Sequence, residues 1–361
     1  MNYVHGGDVY RRAVDLDYSV NINPLGMPPR ACAAAKHGVD QSTAYPDWKV
    51  EKLRDAVVSF LNRKFAPVAP EWISFGNGAA DLIYRLMQVL RPQQVIVAAP
   101  AFAEYSVAAE RVGAQVVPVY LPEATDFSFT PAVEAEFIRA IEAAPSGSAV
   151  FLCNPNNPDG NVIRAEVLQR IAAACEARNS WLIVDECFLP FLRSEINYSM
   201  VQSLRAFPHL VILRAFTKIY GMPGLRLGYM LTAAQALTDA VRATMTPWEI
   251  NLPAQLAGVA ALEETEFVEK TRALIRAERA FLVQTLPTLP YVEKVYVPES
   301  DANFILFRAE QEAPDLKALL LEKGVLIRAC GNYEGLNERY YRICVRTHEE
   351  NLELIRRWRS L

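Results

Sequence analysis

Two cations stand out in residues 214–229, "RAFTKIYGMPGLRLGY": Lys218 and, eight residues later, Arg226 between two leucines. Neither has an acidic residue beside it in the sequence. A lysine amine can form a Schiff base with an aldehyde, and the planar fork of an arginine can bind a phosphate. Taken alone, Lys218 also fits a surface lysine whose aliphatic stem covers apolar residues.

Three other short stretches combine the end of a β-rich run with polar residues. After "EWISF" come Gly76-Asn77-Gly78 and the start of a helical pattern, which could bind an anion or be an ordinary turn. After "AVFLC" comes "NPNNPDG", which could aim amide donors at a ligand or be a plain loop. After "SWLIV" come Asp185 and Glu186, and a carboxylate that ends a buried strand needs a positive partner.

The elements that must position these residues alternate between strand and helix. From about residue 70 to residue 232, apolar β-rich runs are separated by helical patterns, including helices near 103–112 and 164–178. This alternation predicts a mainly parallel sheet with helices on both faces. Ligands bind beyond the carboxyl ends of such strands, so the polar stretches should meet in one crevice.

The set of groups in that crevice matches the needs of pyridoxal 5'-phosphate. A lysine binds its aldehyde, a carboxylate keeps its pyridine nitrogen protonated, and a helix amino terminus with an arginine holds its phosphate. A dinucleotide site of an NAD-dependent dehydrogenase fits poorly, because Asp81 stands where the third glycine is expected. The strand that follows also ends in "AAPAF", without the acidic residue that would bind a ribose.

Length and composition predict an α/β protein of two domains. The chain has 361 residues, 52% hydrophobic and 22% charged, which suits a globular protein too long for one small core. Residues 45–250 are predicted to form a large cofactor-binding domain around a mainly parallel sheet. Residues 251–361, with helical patterns near 265–285 and 349–359, are predicted to form a small α+β domain. Residues 1–44 are predicted to dock on that small domain.

Charge and cysteine usage narrow the possible partners and the compartment. A net charge of -4 does not suggest a basic face for nucleic acid or a membrane surface. No segment has the pattern of a signal peptide or the length of a membrane span, and the six cysteines are scattered. These features predict a cytoplasmic protein with reduced thiols. The four histidines lie far apart, so we expect no metal site.

The motifs resemble the fold-type I aminotransferase superfamily of pyridoxal-phosphate enzymes over nearly the whole chain. "NPNNPDG", the Asp-Glu pair after a strand, "TK" and "GLRLGY" occur in the order and spacing of that family. Within it the chain resembles the histidinol-phosphate aminotransferase branch, and there the decarboxylases of threonine phosphate in cobalamin biosynthesis. The marks of this branch are "HGG" at 5–7, "NINPLGMP" at 21–28, "YPD" at 45–47, "FAEY" at 102–105, "TPWEIN" at 246–251, "LIRACGNY" at 326–333 and "YYRICVRT" at 340–347.

The resemblance implies a role for each matching residue around the cofactor. Lys218 and Asp185 are the catalytic pair: Lys218 forms the Schiff base, and Asp185 pairs with the pyridine nitrogen. Asn157 is implied to bind the phenolic oxygen and Phe102 to stack on the ring. The remaining implied cofactor ligands, mostly toward the phosphate, are Gly78, Ala79, Ala80, Thr217, Arg226 and, from the other subunit of a homodimer, Tyr45.

The resemblance also implies a phosphorylated amino-acid substrate. Arg342 is implied to bind its carboxylate, and His5 and Arg328 to bind its phosphate. Asn23 and Asn157 are implied to contact it as well. The implied reaction converts threonine phosphate to (R)-1-amino-2-propanol phosphate, or serine phosphate to ethanolamine phosphate. Transamination, for example of histidinol phosphate, is the alternative, since the same site residues serve both reactions; a non-catalytic binding module would be expected to lack Lys218 or Asp185.

Some positions depart from the family pattern. Ala215 stands where a serine or threonine usually binds the cofactor phosphate, and Ala79 and Ala80 replace side chains that are usually polar. Phe188 stands where many aminotransferases have a tyrosine that supports the phenolic oxygen. Each hydroxyl lost from the phosphate site is expected to weaken binding by about 1 kcal/mol.

Overall fold

The computed structural model describes residues 5–11 and 13–361. The helices predicted near 103–112, 164–178, 265–285 and 349–359 are present, within one residue at each end. The helices are α1 (Pro29–Asp40), α2 (Glu51–Asn62), α3 (Ala79–Leu90), α4 (Glu104–Arg111), α5 (Pro131–Ala143), α6 (Ala165–Ala177), α7 (Gln235–Ala243), α8 (Leu252–Ala261), α9 (Thr265–Thr285), α10 (Leu316–Glu322) and α11 (His348–Trp358).

Within residues 5–11 and 13–361, the strands form three separate sheets. Their bounds are β1 (Leu16–Asp17), β2 (Ile73–Gly76), β3 (Gln94–Ala99), β4 (Gln115–Tyr120), β5 (Ala149–Cys153), β6 (Trp181–Asp185), β7 (Leu210–Ala215), β8 (Gly228–Leu231), β9 (Val292–Val295), β10 (Phe304–Ala309), β11 (Val325–Leu326), β12 (Arg328–Ala329) and β13 (Tyr340–Cys344).

A seven-stranded sheet in the order β2-β8-β7-β6-β5-β3-β4 organises residues 73–231. Strand β8 is antiparallel to both of its neighbours, and the other pairs are parallel. Strands β5 and β7 are buried along their whole length, as expected when helices cover both faces of a sheet. The predicted α/β fold with a mainly parallel central sheet is confirmed.

The carboxyl ends of β2, β5, β6 and β7 lie at the same edge of this sheet, because these strands share one direction. Strand β8 runs the other way, so its amino end reaches that edge, and residue 226 precedes it by two positions. The polar stretches found in the sequence are therefore collected at one edge, as the alternation of elements predicted.

The C-terminal part contains a four-stranded antiparallel sheet in the order β12-β13-β10-β9. Strand β1 pairs in parallel with β11, and the Tyr18 backbone links the two ends of the chain: its N–H donates to Leu326 O at 2.8 Å and its carbonyl accepts from Cys344 N at 2.9 Å. Helix α8 packs on α1, where a Cβ at Gly38 would lie 2.7 Å from Pro253 Cα. The domain boundaries at residues 44 and 250 stay a prediction.

All six cysteines are free, and five of them are buried. Among the described residues, no helix is both long and apolar enough to cross a membrane.

Candidate active site

A cavity of about 280 Å³ opens at the edge of the large sheet where the polar stretches meet. The N-terminal segment and strands β12 and β13 of the small sheet complete its wall. The structure brings most of the predicted site residues together here; their individual roles stay predictions. The predicted residues that line the cavity are His5, Ala79, Ala80, Phe102, Asn157, Asp185, Thr217, Lys218, Arg226, Arg328 and Arg342.

Lys218 follows the end of β7 and opens onto the cavity. Desolvation by the surrounding protein, together with the charge of Arg342, lowers the pKa of Lys218 from 10.5 to about 8. Its backbone carbonyl accepts hydrogen bonds from Asn23 N and Gly221 N, both at 3.2 Å, so the turn that carries it is fixed. A lysine amine that loses its proton near pH 8 is well suited to attack an aldehyde.

Asp185 ends β6 as a buried carboxylate held by two donors. Its Oδ2 accepts from the Tyr105 hydroxyl at 2.7 Å, and its Oδ1 accepts from Cys187 N at 2.9 Å. The Tyr105 ring stacks on Phe151 with centroids 4.8 Å apart, which fixes the direction of the hydroxyl. Sequence reasoning used Tyr105 only as part of "FAEY".

We expect Tyr105→Phe to weaken cofactor binding about tenfold while the protein stays folded, because the variant keeps the ring stack and loses one donor to a charged carboxylate. The measurement is a titration of the cofactor-free protein with pyridoxal 5'-phosphate, followed by absorbance. The matched control is Tyr291→Phe, which removes the hydroxyl of the residue immediately before β9. An unchanged dissociation constant in Tyr105→Phe would show that Asp185 does not depend on this hydroxyl.

An anion cradle lies where α3 begins. Gly78 precedes the helix with φ +89°, and a Cβ there would lie 2.7 Å from Arg226 Nη2. Arg226 Nη2 donates to Asn77 O and Nη1 donates to Pro223 O, both at 3.0 Å. Glycine at position 78 therefore allows the guanidinium to approach the amino terminus of the helix, whose free N–H groups and Arg226 together suit a phosphate. Gly78 makes room for the Arg226 guanidinium but does not itself line the cavity.

The departures from the family pattern leave apolar groups at the cavity wall. Ala215 and Phe188 both line it, and the Phe188 ring lies 5.5 Å from Lys218 Nζ. The Phe188 ring also packs edge-on against Phe304, with centroids 5.0 Å apart. Neither position can supply a hydroxyl, so the polar contacts of this region must come from other side chains.

Asn157 and Arg342 contact each other directly. Arg342 Nη1 donates to Asn157 Oδ1, and Nη2 donates to Ser19 O at 3.0 Å. Arg342 is buried, and its Nε has no hydrogen-bond partner among the described residues. Since Asn157 Oδ1 is engaged, its amide nitrogen remains as the donor for a ligand.

His5 and Arg328 both line the cavity. Arg328 is buried, and its Nη2 donates to Asn332 Oδ1 at 2.7 Å. His5 Nε2 lies 2.8 Å from Glu104 Oε1, and this contact is the main cause that lowers the pKa of Glu104. The Glu104 carboxylate, which sequence reasoning did not single out, thus joins the N-terminal segment to α4 at the cavity mouth.

Besides Gly78, two predicted residues lie outside the cavity. Asn23 does not face it: its Nδ2 donates to Ile219 O at 2.7 Å and to Thr271 Oγ1 at 2.8 Å, so its amide supports the turn after Lys218. Instead Asn21, two residues earlier, lines the cavity, and its buried Oδ1 has no partner among the described residues. Tyr45 is 79% exposed and stacks on Trp248 at 4.5 Å, so within one chain it does not contact the cavity.

Comparison with known proteins places the chain in a family. The profile described as "Aminotransferase class I and II" matches residues 14–357. The chain is 35% identical to the threonine-phosphate decarboxylase of Salmonella typhimurium (strain LT2), over 100% of this chain and 97% of that protein. It is 37% identical to the histidinol-phosphate aminotransferase of Symbiobacterium thermophilum, over 93% of this chain and 87% of that protein.

A solved structure shares the fold closely. The histidinol-phosphate aminotransferase from Clostridium acetobutylicum superimposes with a TM-score of 0.85 at 29% identity, covering 96% of this chain and 98% of that one. The chain therefore belongs to the aminotransferase class I and II family, and it is a pyridoxal-phosphate enzyme of the aminotransferase superfamily. The cavity fits that group: Lys218 faces it with an easily deprotonated amine, Asp185 with a carboxylate, and the start of α3 with an anion cradle.

Proposed function

We propose that the protein decarboxylates L-threonine O-3-phosphate to (R)-1-amino-2-propanol O-2-phosphate in cobalamin biosynthesis, or serine phosphate to ethanolamine phosphate. The main support for this proposal is a pair of buried arginines, Arg328 and Arg342, that line the cavity in addition to Arg226 of the anion cradle. A cofactor phosphate needs one such site, so two remain for a substrate with a carboxylate and a phosphate. The similarity to a threonine-phosphate decarboxylase supports this proposal.

The residues of the chain divide the work by position. When bound, pyridoxal 5'-phosphate supplies an electron sink for the bond that breaks at the substrate's Cα. Asp185 keeps the proton on the ring nitrogen, and Lys218 Nζ is placed to hold the cofactor and to return a proton to Cα. Arg342 binds the carboxylate, and Arg328 with His5 binds the phosphate; together they fix which bond is presented for cleavage.

Transamination is the second candidate, because a histidinol-phosphate aminotransferase is similarly related to the chain. The deciding experiment incubates the purified holoenzyme with threonine phosphate, serine phosphate or histidinol phosphate, each with and without 2-oxoglutarate. Release of carbon dioxide and a phosphorylated amine without consumption of 2-oxoglutarate supports the decarboxylase. Amino transfer that requires 2-oxoglutarate, without carbon dioxide, would establish the aminotransferase instead.

The two substrate arginines should differ in what they recognise. We expect Arg328→Ala to weaken binding of threonine phosphate roughly tenfold to a hundredfold, because a charge-assisted contact to the phosphate is lost, and to leave threonine nearly unaffected. His5→Ala should act in the same direction. Arg342→Ala should weaken both ligands, since both carry the carboxylate. Binding is titrated through the spectrum of the bound cofactor, with Arg356→Ala on the surface of α11 as the control.

Equal losses of affinity for threonine and threonine phosphate in Arg328→Ala would remove the phosphate role from Arg328. That result would also weaken the case for a phosphorylated amino acid as substrate.

The active enzyme is proposed to be a cytoplasmic homodimer in which Tyr45 serves the partner's cofactor. The supporting observation is a patch of exposed aromatic side chains, Tyr45, Trp48 and Trp248, and such patches usually mark a protein interface. The six free cysteines fit a reducing compartment. Analytical ultracentrifugation is expected to show a dimer, and Tyr45→Ala should lose cofactor more readily than wild type. A monomer with full activity at the same concentration would contradict the shared site.

A further inference from the structure

Tyr333 occupies a central place in the cavity that the proposed function leaves unused. It lies in the turn between β12 and β13, is 5% exposed, and lines the cavity. The strands on either side of this turn carry Arg328 and Arg342, which are the two proposed substrate arginines. Arg328 and Arg342 are also paired directly across these strands, so the sheet fixes the spacing of their backbones. Tyr333, in the turn that joins the strands, can act on the positions of their side chains.

The hydroxyl of Tyr333 closes a triangle of hydrogen bonds. It donates to Asn157 Oδ1 at 3.3 Å and accepts from Arg342 Nη1 at 3.3 Å, while Arg342 Nη1 also donates to Asn157 Oδ1. This pattern fixes the orientation of the Asn157 amide, because only its oxygen can accept both bonds. The amide nitrogen is then the group left to donate to the cofactor.

The ring of Tyr333 contacts the other anion site. The Arg328 guanidinium carbon lies 5.3 Å from the ring centroid, within the range of a cation–π interaction. Arg328 is buried, so its guanidinium gains more from this contact than an exposed arginine would. One side chain thus supports Arg328 through its ring and Arg342 through its hydroxyl.

We propose that Tyr333 is a positioning residue that holds the guanidinium groups of the two substrate arginines in place and sets the orientation of Asn157. The proposal rests on the assignment of Arg342 to the carboxylate and Arg328 to the phosphate. The Tyr333 hydroxyl positions Arg342, at the carboxylate site, and Asn157, which faces the cofactor. The Tyr333 ring positions Arg328, at the phosphate site. Tyr333 also supplies a hydroxyl to Asn157, which Phe188 cannot do.

The two parts of the side chain can be separated by two variants and three ligands. Tyr333→Phe keeps the ring and removes the hydroxyl, whereas Tyr333→Leu removes both. Threonine carries the carboxylate alone, ethanolamine phosphate carries the phosphate alone, and threonine phosphate carries both. Dissociation constants are measured on the holoenzyme, and melting temperatures show that each variant is folded.

In Tyr333→Phe we expect the dissociation constants of threonine and threonine phosphate to rise about threefold to tenfold, the usual effect of one hydrogen bond, with little change for ethanolamine phosphate. In Tyr333→Leu the dissociation constant of ethanolamine phosphate should also rise, by a similar factor, as the cation–π contact is lost. The absorbance of the bound cofactor should titrate at a higher pH in Tyr333→Phe, because a loosely held Asn157 stabilises the deprotonated phenolic oxygen less.

If Tyr333→Phe leaves the three affinities and the titration midpoint unchanged, the proposal is wrong. It is also wrong if Tyr333→Phe and Tyr333→Leu weaken all three ligands equally. The wild-type holoenzyme tests the proposed substrate separately. If it does not bind threonine phosphate more tightly than threonine, threonine phosphate is refuted as the substrate. The titration midpoint would then still decide whether Tyr333 orients Asn157.

Discussion

Replacing Lys218 by alanine is expected to abolish covalent retention of the cofactor and to reduce turnover by at least about a thousandfold, since both the nucleophile and the proton carrier are removed. The variant should fold, because the side chain opens onto a cavity and alanine fits there without a clash. The measurement is the amount of cofactor fixed to the protein by borohydride reduction, followed by the turnover assay. Lys52→Ala, an exposed substitution on α2, is the control.

The lowered pKa of Lys218 adds a pH dependence to this prediction. The neutral amine is the nucleophile, and it predominates above a pKa of about 8 rather than above the usual 10.5. Capture of pyridoxal 5'-phosphate by the cofactor-free protein should therefore accelerate as the pH rises toward 8 and level off above it. Fixed cofactor in the alanine variant would mean that a different lysine carries it.

Arg214→Met is expected to lower the free energy of unfolding by about 3–5 kcal/mol, because it leaves two buried carboxylates without their central cation. Arg214 is buried on β7, and its Nη2 lies 2.7 Å from Glu186 Oε2 while its Nη1 lies 3.1 Å from Glu195 Oε2. Arg272 Nη2 adds a contact to Glu195 Oε1 at 2.8 Å. The change is measured as the shift in urea midpoint of the purified protein.

Arg214 and Arg272 form a buried ion-pair cluster with Glu186 and Glu195, here called the Arg214 cluster. Acid should weaken the contribution of Glu195 to this cluster. Burial alone raises the pKa of Glu195, but Arg214 and Lys64 oppose it, and the net pKa is lowered from 4.5 to about 2. The contribution of Glu195 to stability is therefore complete above pH 4.5 and is lost as the pH falls toward 2. Arg139→Met, an exposed substitution on α5, is the control for the removal of an arginine. A Glu195 that stabilises the fold equally at pH 5 and pH 2 would contradict this account of the cluster.

The sequence predicts best the site residues that follow the carboxyl ends of parallel strands, because the direction of the strands determines where those residues lie. The end of a parallel strand has a known place in the fold, so Asp185 and Lys218 could be assigned to one crevice from the sequence alone. The four helices whose bounds were predicted begin and end within one residue of the prediction, because apolar spacing is a local property. The antiparallel direction of β8 was not predicted, since it depends on how the short connection before it turns.

The remaining site residues depend on packing between distant segments. Asn21 and Asn23 are the same residue type two positions apart, and only the hydrogen bonds of Asn23 to Ile219 and Thr271 show which of them is withdrawn from the cavity. Tyr105 and Tyr333 contact Asp185 and Asn157 across 80 and 176 residues, respectively. The Arg214 cluster was missed for the same reason, because a buried ion pair has no short-range pattern.

The charges around the cavity have a consequence for the speed of binding. The chain as a whole carries -4, yet the described cavity wall contains Lys218, Arg226, Arg328 and Arg342 against the single carboxylate of Asp185. An approaching anion therefore meets weak repulsion in bulk and strong attraction within about 8 Å of the mouth, the screening distance at physiological ionic strength. Association of a doubly charged ligand should slow markedly as salt is added, and a product that has lost its carboxylate should leave faster than the substrate does.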